Sequence, residues 1–355
     1  MKESPHAYVC IMAGGSGERF WPMSRQRTPK HLLKLFSERT LVEETVRRLD
    51  GVVPREHVFV LTNAAQLENT RTALAGLLSP AQIIAEPAKR DTAAAAALAT
   101  GLVRVRDPQA VMALLPADSF IKDTAAFAQQ LGAGLARASQ TTALLTFAVK
   151  PTHAATGFGY LEIGDLVTGG DGFRRVVRFV EKPDAAAAAR YLAAGNFAWN
   201  AGMFVWNVAA FLAEADRQTP ALARFIREFP AGDPAAYLAA TFSTLEPKVS
   251  VDYAIMEKAG AVETMLAEFD WDDVGLWTAL PAHLATDAAG NAVRGSVISV
   301  AGAANNIALS NGRVIALVGV KDLVVVETAD AILVCHRDAV GDIKQLMPHL
   351  PKDLL

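Results

Sequence analysis

Three glycines in four positions, followed by spaced cations, raise the first chemical question in this chain. The stretch GGSGERFWPMSRQRTPK covers residues 14–30 and carries Arg19, Arg25 and Lys30 behind Gly14, Gly15 and Gly17. Glycines let backbone N–H groups approach a phosphate chain without interference from a Cβ. Guanidinium groups match phosphate oxygens bidentately, and a lysine supplies a point charge. The loop fits neither standard template: a Walker A loop needs Gly-Lys followed by Ser or Thr, whereas Gly17 is followed by Glu18, and a dinucleotide fingerprint needs glycine where Phe20 stands. Arg25 and Arg27 also read as solvated loop cations.

Carboxylates supply the second kind of chemistry. LLPADS ends an apolar run with Asp118, and FDWDDVGLW sets Asp270, Asp272 and Asp273 between two tryptophans. Singly, each aspartate reads as a cap or turn residue. Together, Asp118 and one aspartate of the later cluster suit magnesium, which takes one or two carboxylates plus substrate phosphates. FVEKP ends a strand-like run with Glu181 and Lys182, either a ligand group or a solvated edge. NFAWNAGMFVW brings Asn200 and Gly202 into an apolar run, where the amide serves either sugar hydroxyls or a turn. In EPAKRDTAAAAALA, a helix N-cap near Asp91 or Thr92 explains the aspartate. Capping does not explain Glu86 or Arg90, and a carboxylate beside a phosphate loop would accept hydrogen bonds from a base bearing N–H donors, as guanine does.

The elements that must position these residues follow from periodicity. YVCIMA, HVFVLT, QIIAEP, AVMALLPAD and ALLTFAV alternate with helix-like stretches such as ERTLVEETVRRL, the pattern of βαβ units on a parallel sheet. Ligands of such sheets bind beyond the carboxyl ends of the strands, where GGSGER, EPAKRD and PADS fall. After Pro151, GFGYLEIG and GFRRVVRFVEKP alternate like an antiparallel pair joined by DLVTGGDG. Helical patterns return at Asp184–Ala194, Val208–Gln218 and Val251–Ala259, before the strand-like VETMLAEFDW. From about Thr286, short β-branched runs punctuated by Gly and Asn predict an all-β module closed by a short helix near Asp338–Met347. The expected domains are therefore 1–285 and 286–355.

Composition narrows the function classes. The chain has 355 residues, 52% of them apolar, enough for one large core or two unequal ones. With 34 basic and 37 acidic residues, the net charge is −3 and no basic block marks a nucleic-acid surface. The two cysteines, Cys10 and Cys335, lie in separate apolar runs and read as buried free thiols of a reducing compartment. The start MKESPHAYVCIMAGG lacks a signal-type apolar region and no stretch approaches a membrane span, so a cytoplasmic location is expected. An exposed strand edge in the tail would suit a homodimer.

In order along the chain stand GGSGERFWPMSR with Pro29-Lys30, EPxxRDTA, PADS, GFGY, FVEKP, NAGMF, SVDYAIMEK and WDDVG. This ordered set, over nearly the whole chain, resembles the sugar-nucleotide pyrophosphorylases and within them the mannose-1-phosphate guanylyltransferases. The resemblance implies an α/β fold: a Rossmann-like mixed-sheet nucleotidyltransferase domain of GT-A-like type, with a small C-terminal left-handed β-helix-like module. It implies the reaction of GTP with mannose 1-phosphate to give GDP-mannose and pyrophosphate, assisted by Mg2+. By resemblance, Gly14, Gly15 and Gly17 cradle the nucleotide, and Glu86, Arg90 and Thr92 fall in the guanine-recognising stretch. Arg19 and Lys30 hold the triphosphate, Lys182 clamps the sugar phosphate, and Gly159, Tyr160, Glu181 and Asn200 surround the sugar. Asp118 and Asp273 are the metal carboxylates, Asp273 because it precedes Val-Gly. The chain departs from the family where Asp91 replaces a common Asn and His31 a common Gln. The chain's end at Leu355 implies no isomerase domain and a single activity.

Alternatives remain at this point. A guanylyltransferase for a manno-heptose 1-phosphate, or an enzyme using another NTP, would share these motifs. A non-catalytic nucleotide-sugar-binding regulatory subunit has less need of both carboxylates and both phosphate-side cations. A glycosyltransferase would show a mid-chain Asp-x-Asp, which PADSF is not.

The chemistry itself asks little proton transfer of the protein. A phosphate monoester is largely dianionic near neutral pH, its second pKa being about 6, so no general base is required. The barrier is the approach of one polyanion to another, which cations must screen.

Overall fold

The computed structural model describes residues 6–355; residues 1–5, which open the stretch read as lacking a leader, lie outside the described residues. Nine strands form one sheet: β1 (Ala7–Ala13), β2 (Val58–Asn63), β3 (Ile83–Glu86), β4 (Val111–Pro116), β5 (Leu144–Val149), β6 (Tyr160–Leu166), β7 (Arg174–Val180), β8 (Phe197–Asn207) and β9 (Val262–Leu266). Their order is β3-β2-β1-β4-β8-β5-β9-β7-β6, with β6 also pairing β8. The β3-β2-β1-β4 half is parallel, as the alternating pattern predicts. Strand β8 then enters antiparallel to β4 and β5, which makes the sheet mixed. The predicted hairpin forms, with β6 antiparallel to β7 and irregularities at Glu162/Ile163 and Ile163/Leu166.

Both faces of the sheet are covered, which explains why β1, β2, β4 and β5 read as continuous apolar runs rather than alternating ones. On one face the helix Asp91–Arg104 buries its run of alanines, and their small side chains let the helix lie close to the sheet. At Gly101 the approach is tightest, since a Cβ there would meet the Phe229 ring at 2.9 Å. On the other face, helices Leu41–Arg47 and Thr124–Ala138 cover Val9, Ile11, Leu115 and Phe147. Each begins with a side-chain cap: Thr40 and Glu43 form a reciprocal capping box, and Asp123 accepts the Ala126 N–H.

The tail is β-rich, as expected, and its strands are β10 (Ala292–Arg294), β11 (Val297–Val300), β12 (Ile307–Leu309), β13 (Ile315–Val318), β14 (Leu323–Glu327) and β15 (Ile332–His336). Strands β10, β12 and β14 stack in parallel, as do β11 and β13, so successive coils lie over one another in a β-helix-like manner. A ladder of two fully buried asparagines joins the coils. Asn291 Nδ2 donates to the Ala303 carbonyl at 3.0 Å, and Asn291 Oδ1 accepts from Asn306 N and Nδ2 at 2.9 Å. Asn306 repeats the arrangement with Val320 and Leu323, each bond contributing about 1 kcal/mol. The closing helical segment expected near Asp338–Met347 is present as a 3-10 helix, Arg337–His349, with Pro348 inside it.

The two parts share a core. Phe20, Trp21, Leu33 and Leu35 from the segment after the glycine loop pack with Ile307, Leu309, Val324, Val326 and Ile343 of the tail. Trp21 Nε1 also donates to the Leu354 carbonyl at 3.0 Å. Arg25 pairs with Asp330 at 3.0 Å and stacks over Trp21, so this loop cation is a bridge to the tail rather than a phosphate ligand. Cys10 is buried and Cys335 half-buried, both as free thiols, and burial pushes the Cys10 thiol up to about 12. Among the described residues, no helix is long and apolar enough to cross a membrane.

Candidate active site

A cavity of about 490 Å3 opens beyond the carboxyl ends of the strands, and most of the residues singled out in the sequence line it. The loop leaving β1 forms one wall with Ser16, Gly17, Glu18 and Arg19. Gly17 has φ +66°, and a Cβ there would stand 2.5 Å from Lys30 Cβ and 2.8 Å from Lys30 N. Only glycine both takes this left-handed backbone without strain and lets the loop pass over Lys30. Buried Phe20, its ring 4.8 Å from that of Trp277 and tilted against it, anchors the loop from behind. Lys30 is 7% exposed, with Nζ 2.9 Å from Asp118 Oδ2 and donating to the Asp273 carbonyl at 2.5 Å. Arg19 is exposed and enters no ion pair among the described residues. One cation is thus fixed in place and the other stands at the cavity mouth.

Asp118 follows β4, and Asp273 sits on the segment after β9 that folds back against the same loop. Phe120 and Asp272 form an isolated bridge, with N–O distances of 2.8 and 3.1 Å, which clamps the two carboxylate-bearing segments together. The remaining aspartates of the cluster have structural partners. Asp270 accepts the N–H groups of Lys122 and Asp123, whereas Asp272 accepts the Val274 N–H at 2.7 Å and meets His283 Nε2 at 2.8 Å. Of the three, Asp273 alone lines the cavity. Val274, a β-branched residue at φ +47°, is held in an uncommon backbone state by that Asp272 bond, and such strain gathers at functional sites. Burial pushes the Asp273 carboxyl up; Lys30 opposes this, while Asp272 and Asp118 add to it.

Asp118 and Asp273 line one cavity, and the charges around Asp273 leave a place where a cation between the two carboxylates would be favoured. Their hard oxygen donors suit a cation that also binds phosphate oxygens. Among the described residues no group of three or more His, Cys, Asp or Glu side chains could hold a metal by itself, so phosphate oxygens would complete the shell. The residues present therefore fit a divalent ion shared between protein and nucleotide.

The opposite wall holds a tighter network. Lys182, at φ +43°, reaches Glu181 Oε1 at 2.9 Å. Burial pulls the Lys182 ammonium down, but the hydrogen bond and charge of Glu181 outweigh it and hold the group above its usual value. Gly159 makes room for Glu181, since a Cβ there would meet Oε2 at 2.5 Å. The Gly159 carbonyl accepts the Asn200 N–H at 2.8 Å. Asn200 is 7% exposed and its amide is held at both ends, with one Nδ2 hydrogen left over: Oδ1 accepts from Thr146 Oγ1 at 2.7 Å and from Gly202 N at 3.2 Å, and Nδ2 donates to Asp252 Oδ1 at 3.0 Å. Tyr160 departs from expectation. It is fully buried, belongs to a core cluster with Trp199 and Phe197, and does not line the cavity, because alternation on β6 turns it away from Gly159's side.

The stretch assigned to guanine lies beside the glycine loop. Glu86 ends β3, and its Oε2 is 3.3 Å from where a Gly14 Cβ would stand. Burial pushes its carboxyl up to about 8. Gly14, Gly15, Glu86, Arg90 and Thr92 do not line the cavity. Arg90 donates to the Leu245 carbonyl and pairs with Glu246 at 2.7 Å, and Thr92 Oγ1 accepts the Val251 N–H at 2.9 Å. Their bonds stitch the helix start to the segment before Asp252. The N-cap position falls on Arg90, while Asp91, at φ +67°, takes the Thr92 N–H on its carboxylate.

Among the lining residues that escaped the sequence reading, Asp252 and Lys344 bring ionisable groups. Asp252 is buried within SVDYAIMEK, and burial and neighbouring Glu181 push its carboxyl up. Its signal was an aspartate at the first turn of a predicted helix, which capping alone would explain. Lys344 reaches the cavity from the tail, and nothing local to DIKQLM distinguishes it from any solvated lysine.

Comparison with known proteins places this geometry. A nucleotidyl transferase family model matches residues 8–289, and a MannoseP isomerase/GMP-like β-helix domain model matches residues 295–350. The alginate biosynthesis protein AlgA of Pseudomonas aeruginosa is 35% identical over 97% of this chain and 71% of its own length. The mannose-1-phosphate guanylyltransferase of Escherichia coli is 33% identical over 98% of this chain and 74% of its own. A crystal structure from Thermus thermophilus, described as a mannose-1-phosphate geranyltransferase, superposes with a TM-score of 0.87 at 31% identity, covering 97% of this chain and 99% of that one. With its glycine loop, paired carboxylates and two lysines gathered in one cavity, the chain belongs to the nucleotidyl transferase family, alongside relatives named mannose-1-phosphate guanylyltransferase.

Proposed function

We propose that this enzyme transfers GMP from GTP to mannose 1-phosphate, giving GDP-mannose and pyrophosphate, with Mg2+ held by Asp118 and Asp273. The observation that carries this reading is one cavity with a cation at each end: Lys30 beside the metal-side carboxylates and Lys182 beside Glu181 and Asn200. Two phosphates must meet here, one on each lysine.

Lys30 is pre-organised, because its ammonium is pinned by Asp118 and the Asp273 carbonyl and pays little reorganisation as charge develops on the transferring phosphoryl group. Arg19 at the cavity mouth closes on the triphosphate. Magnesium, when bound, neutralises phosphate oxygens and orients them. Lys182 fixes the sugar phosphate so that its oxygen approaches the α-phosphorus in line with the departing pyrophosphate. Glu181 and Asn200 receive the sugar hydroxyls, and Gly159 leaves them room. Glu86, beside Gly14, accepts the N–H donors of guanine. Tyr160 supports the wall from the core, and Arg90 and Thr92 brace the base-side loop.

We further assign the chain to two domains divided near residue 285, working in the cytoplasm, where the free Cys10 thiol stays reduced. Strand β15 leaves Ile332 and Val334 exposed on the edge of its sheet, which suits pairing with a second copy. Light scattering of the purified protein tests the dimer.

The deciding experiment for the reaction is pyrophosphate release across four NTPs and a panel of sugar 1-phosphates, including a manno-heptose 1-phosphate. GTP with mannose 1-phosphate is expected to give the highest kcat/KM. No release with that pair would overturn the reading.

A further inference from the structure

Behind the loops that carry Asp118 and Asp273 lies a second cavity of about 440 Å3 that the reaction above does not use. Its polar wall presents Arg39, Arg48 and Lys122 against a single lining carboxylate, Glu44. Glu44 is already engaged by Ser37 Oγ at 2.8 Å and by Arg39 at 3.7 Å. Arg48 is the unusual member. It is 8% exposed, its Nε has no hydrogen-bond partner, and Nη2 reaches only the Ser119 carbonyl at 3.4 Å. Neither Arg48 nor Lys122 enters an ion pair among the described residues. Burial pulls the Arg48 guanidinium down to about 10, with Glu44 and Asp270 opposing it from a distance. A buried guanidinium keeps its charge at a desolvation cost that an anionic partner ordinarily offsets, and here that partner is missing. The other wall is apolar: the Phe36 and Phe120 rings stand 4.4 Å apart, and the His283 ring is 4.3 Å from Phe120.

We propose that this cavity is a second ligand site, for a small phosphorylated organic molecule whose phosphoryl group sits among Arg39, Arg48 and Lys122 and whose carbon skeleton lies on Phe36 and Phe120. Guanidinium groups and a lysine are the side chains that match phosphate oxygens, and the two rings take up an apolar body. The position is a regulatory one. Ser119 lines both cavities, and Phe120 pairs through its backbone with Asp272, next to Asp273. An occupant therefore presses on the reverse side of both carboxylate-bearing segments.

Phenyl phosphate and inorganic phosphate serve as probes, titrated calorimetrically into the full chain carrying Arg19→Ala and Lys182→Ala, which removes two phosphate-side cations of the first cavity. Saturable binding of phenyl phosphate is expected, weakened roughly 10-fold or more when Arg39→Gln and Lys122→Gln are added, the size set by charge-assisted hydrogen bonds. Both added substitutions are at exposed side chains. Absence of saturable binding, or binding indifferent to Arg39 and Lys122, would overturn the site, and equal affinity for inorganic phosphate would overturn the role of the two rings. In the unsubstituted protein, phenyl phosphate should also shield Lys122 from acetylation read by mass spectrometry; no shielding counts against the proposal. Binding here does not depend on the reaction proposed above, so the two can fail separately.

Discussion

The two walls of the first cavity, each proposed above to hold a phosphate, are built in different ways. On the wall proposed for the triphosphate, Lys30 is locked by Asp118 and the Asp273 carbonyl, Arg19 stands exposed, and the glycine loop passes over Lys30 at Gly17, where no Cβ would fit. On the sugar wall, Asn200 spends both ends of its amide on Thr146, Gly202 and Asp252, and Lys182 leans on Glu181. The first wall is arranged for charge and the second for shape. Removing a charge from the first should therefore lower turnover, whereas disturbing the second should show mainly in the sugar-phosphate KM.

The strongest way to break that contrast is at the carboxylates. Asp118→Asn and Asp273→Asn should each lower turnover by on the order of 100-fold or more, the cost of removing one electrostatic element from a pre-organised site. Wild-type rates in either variant at limiting magnesium, read by pyrophosphate release, would end the metal assignment. Next comes Lys182→Ala, expected to raise the sugar-phosphate KM by about 10- to 100-fold, the value of a charge-assisted hydrogen bond. A selective loss of GTP affinity in that variant would mean that the walls have been assigned the wrong way round.

A pH effect sharpens the base-side account. Because burial raises the Glu86 carboxyl to about 8, it is largely protonated in the free protein at neutral pH. Guanine N–H donors favour the charged form, so GTP binding should release a proton, and GTP affinity should rise with pH until about 8. Calorimetry in buffers of differing ionisation enthalpy reads this directly, and zero proton uptake or release would remove Glu86 from the base site. The same shift bears on folding. The folded state binds this proton more tightly than the unfolded chain, so the Glu86 contribution favours folding at low pH and is lost as pH rises from about 4.3 towards 8.

Smaller effects test the edges of the cavity. Lys344→Ala should raise the GTP KM a few-fold, as expected of an exposed cation at about 1 kcal/mol or less, and a change confined to the sugar-phosphate KM would place Lys344 on the other wall. Arg27→Ala should leave both KM values within about twofold, since surface substitutions away from such features are nearly neutral. Arg27 is exposed and outside the cavity lining.

Much of the first wall was legible because its residues are local in sequence and chemically unusual. Glycines followed by Arg19 and Lys30, an aspartate ending an apolar strand and an Asp-Asp-Val-Gly turn are cues that short-range physics makes conspicuous. The second wall was legible only in part. Glu181, Lys182 and Asn200 were found, but Asp252 looked like an ordinary first-turn acid, and Tyr160 was placed at the sugar although strand alternation sends it into the core. Arg25 reads in the sequence either as a phosphate cation or as a solvated loop cation, and its partner is Asp330, 305 residues away. The tail's closing helix was legible in place but not in type: it is a 3-10 helix, a hydrogen-bond register that apolar spacing over so short a segment does not resolve.

The sequence by itself determined the parallel half of the sheet, the β-rich tail and the kind of chemistry, because strand periodicity, turn residues and charge type are local properties of the chain. Tertiary structure alone decided which of three neighbouring aspartates faces the cavity. Asp270 and Asp272 are taken up by backbone N–H groups and His283, partners that exist only once the segment has folded back on the loop after β4. It also decided that Lys344 joins the site and that Arg48 is buried without an anion. Both depend on contacts between segments far apart in the chain, which close approach creates and no local spacing encodes.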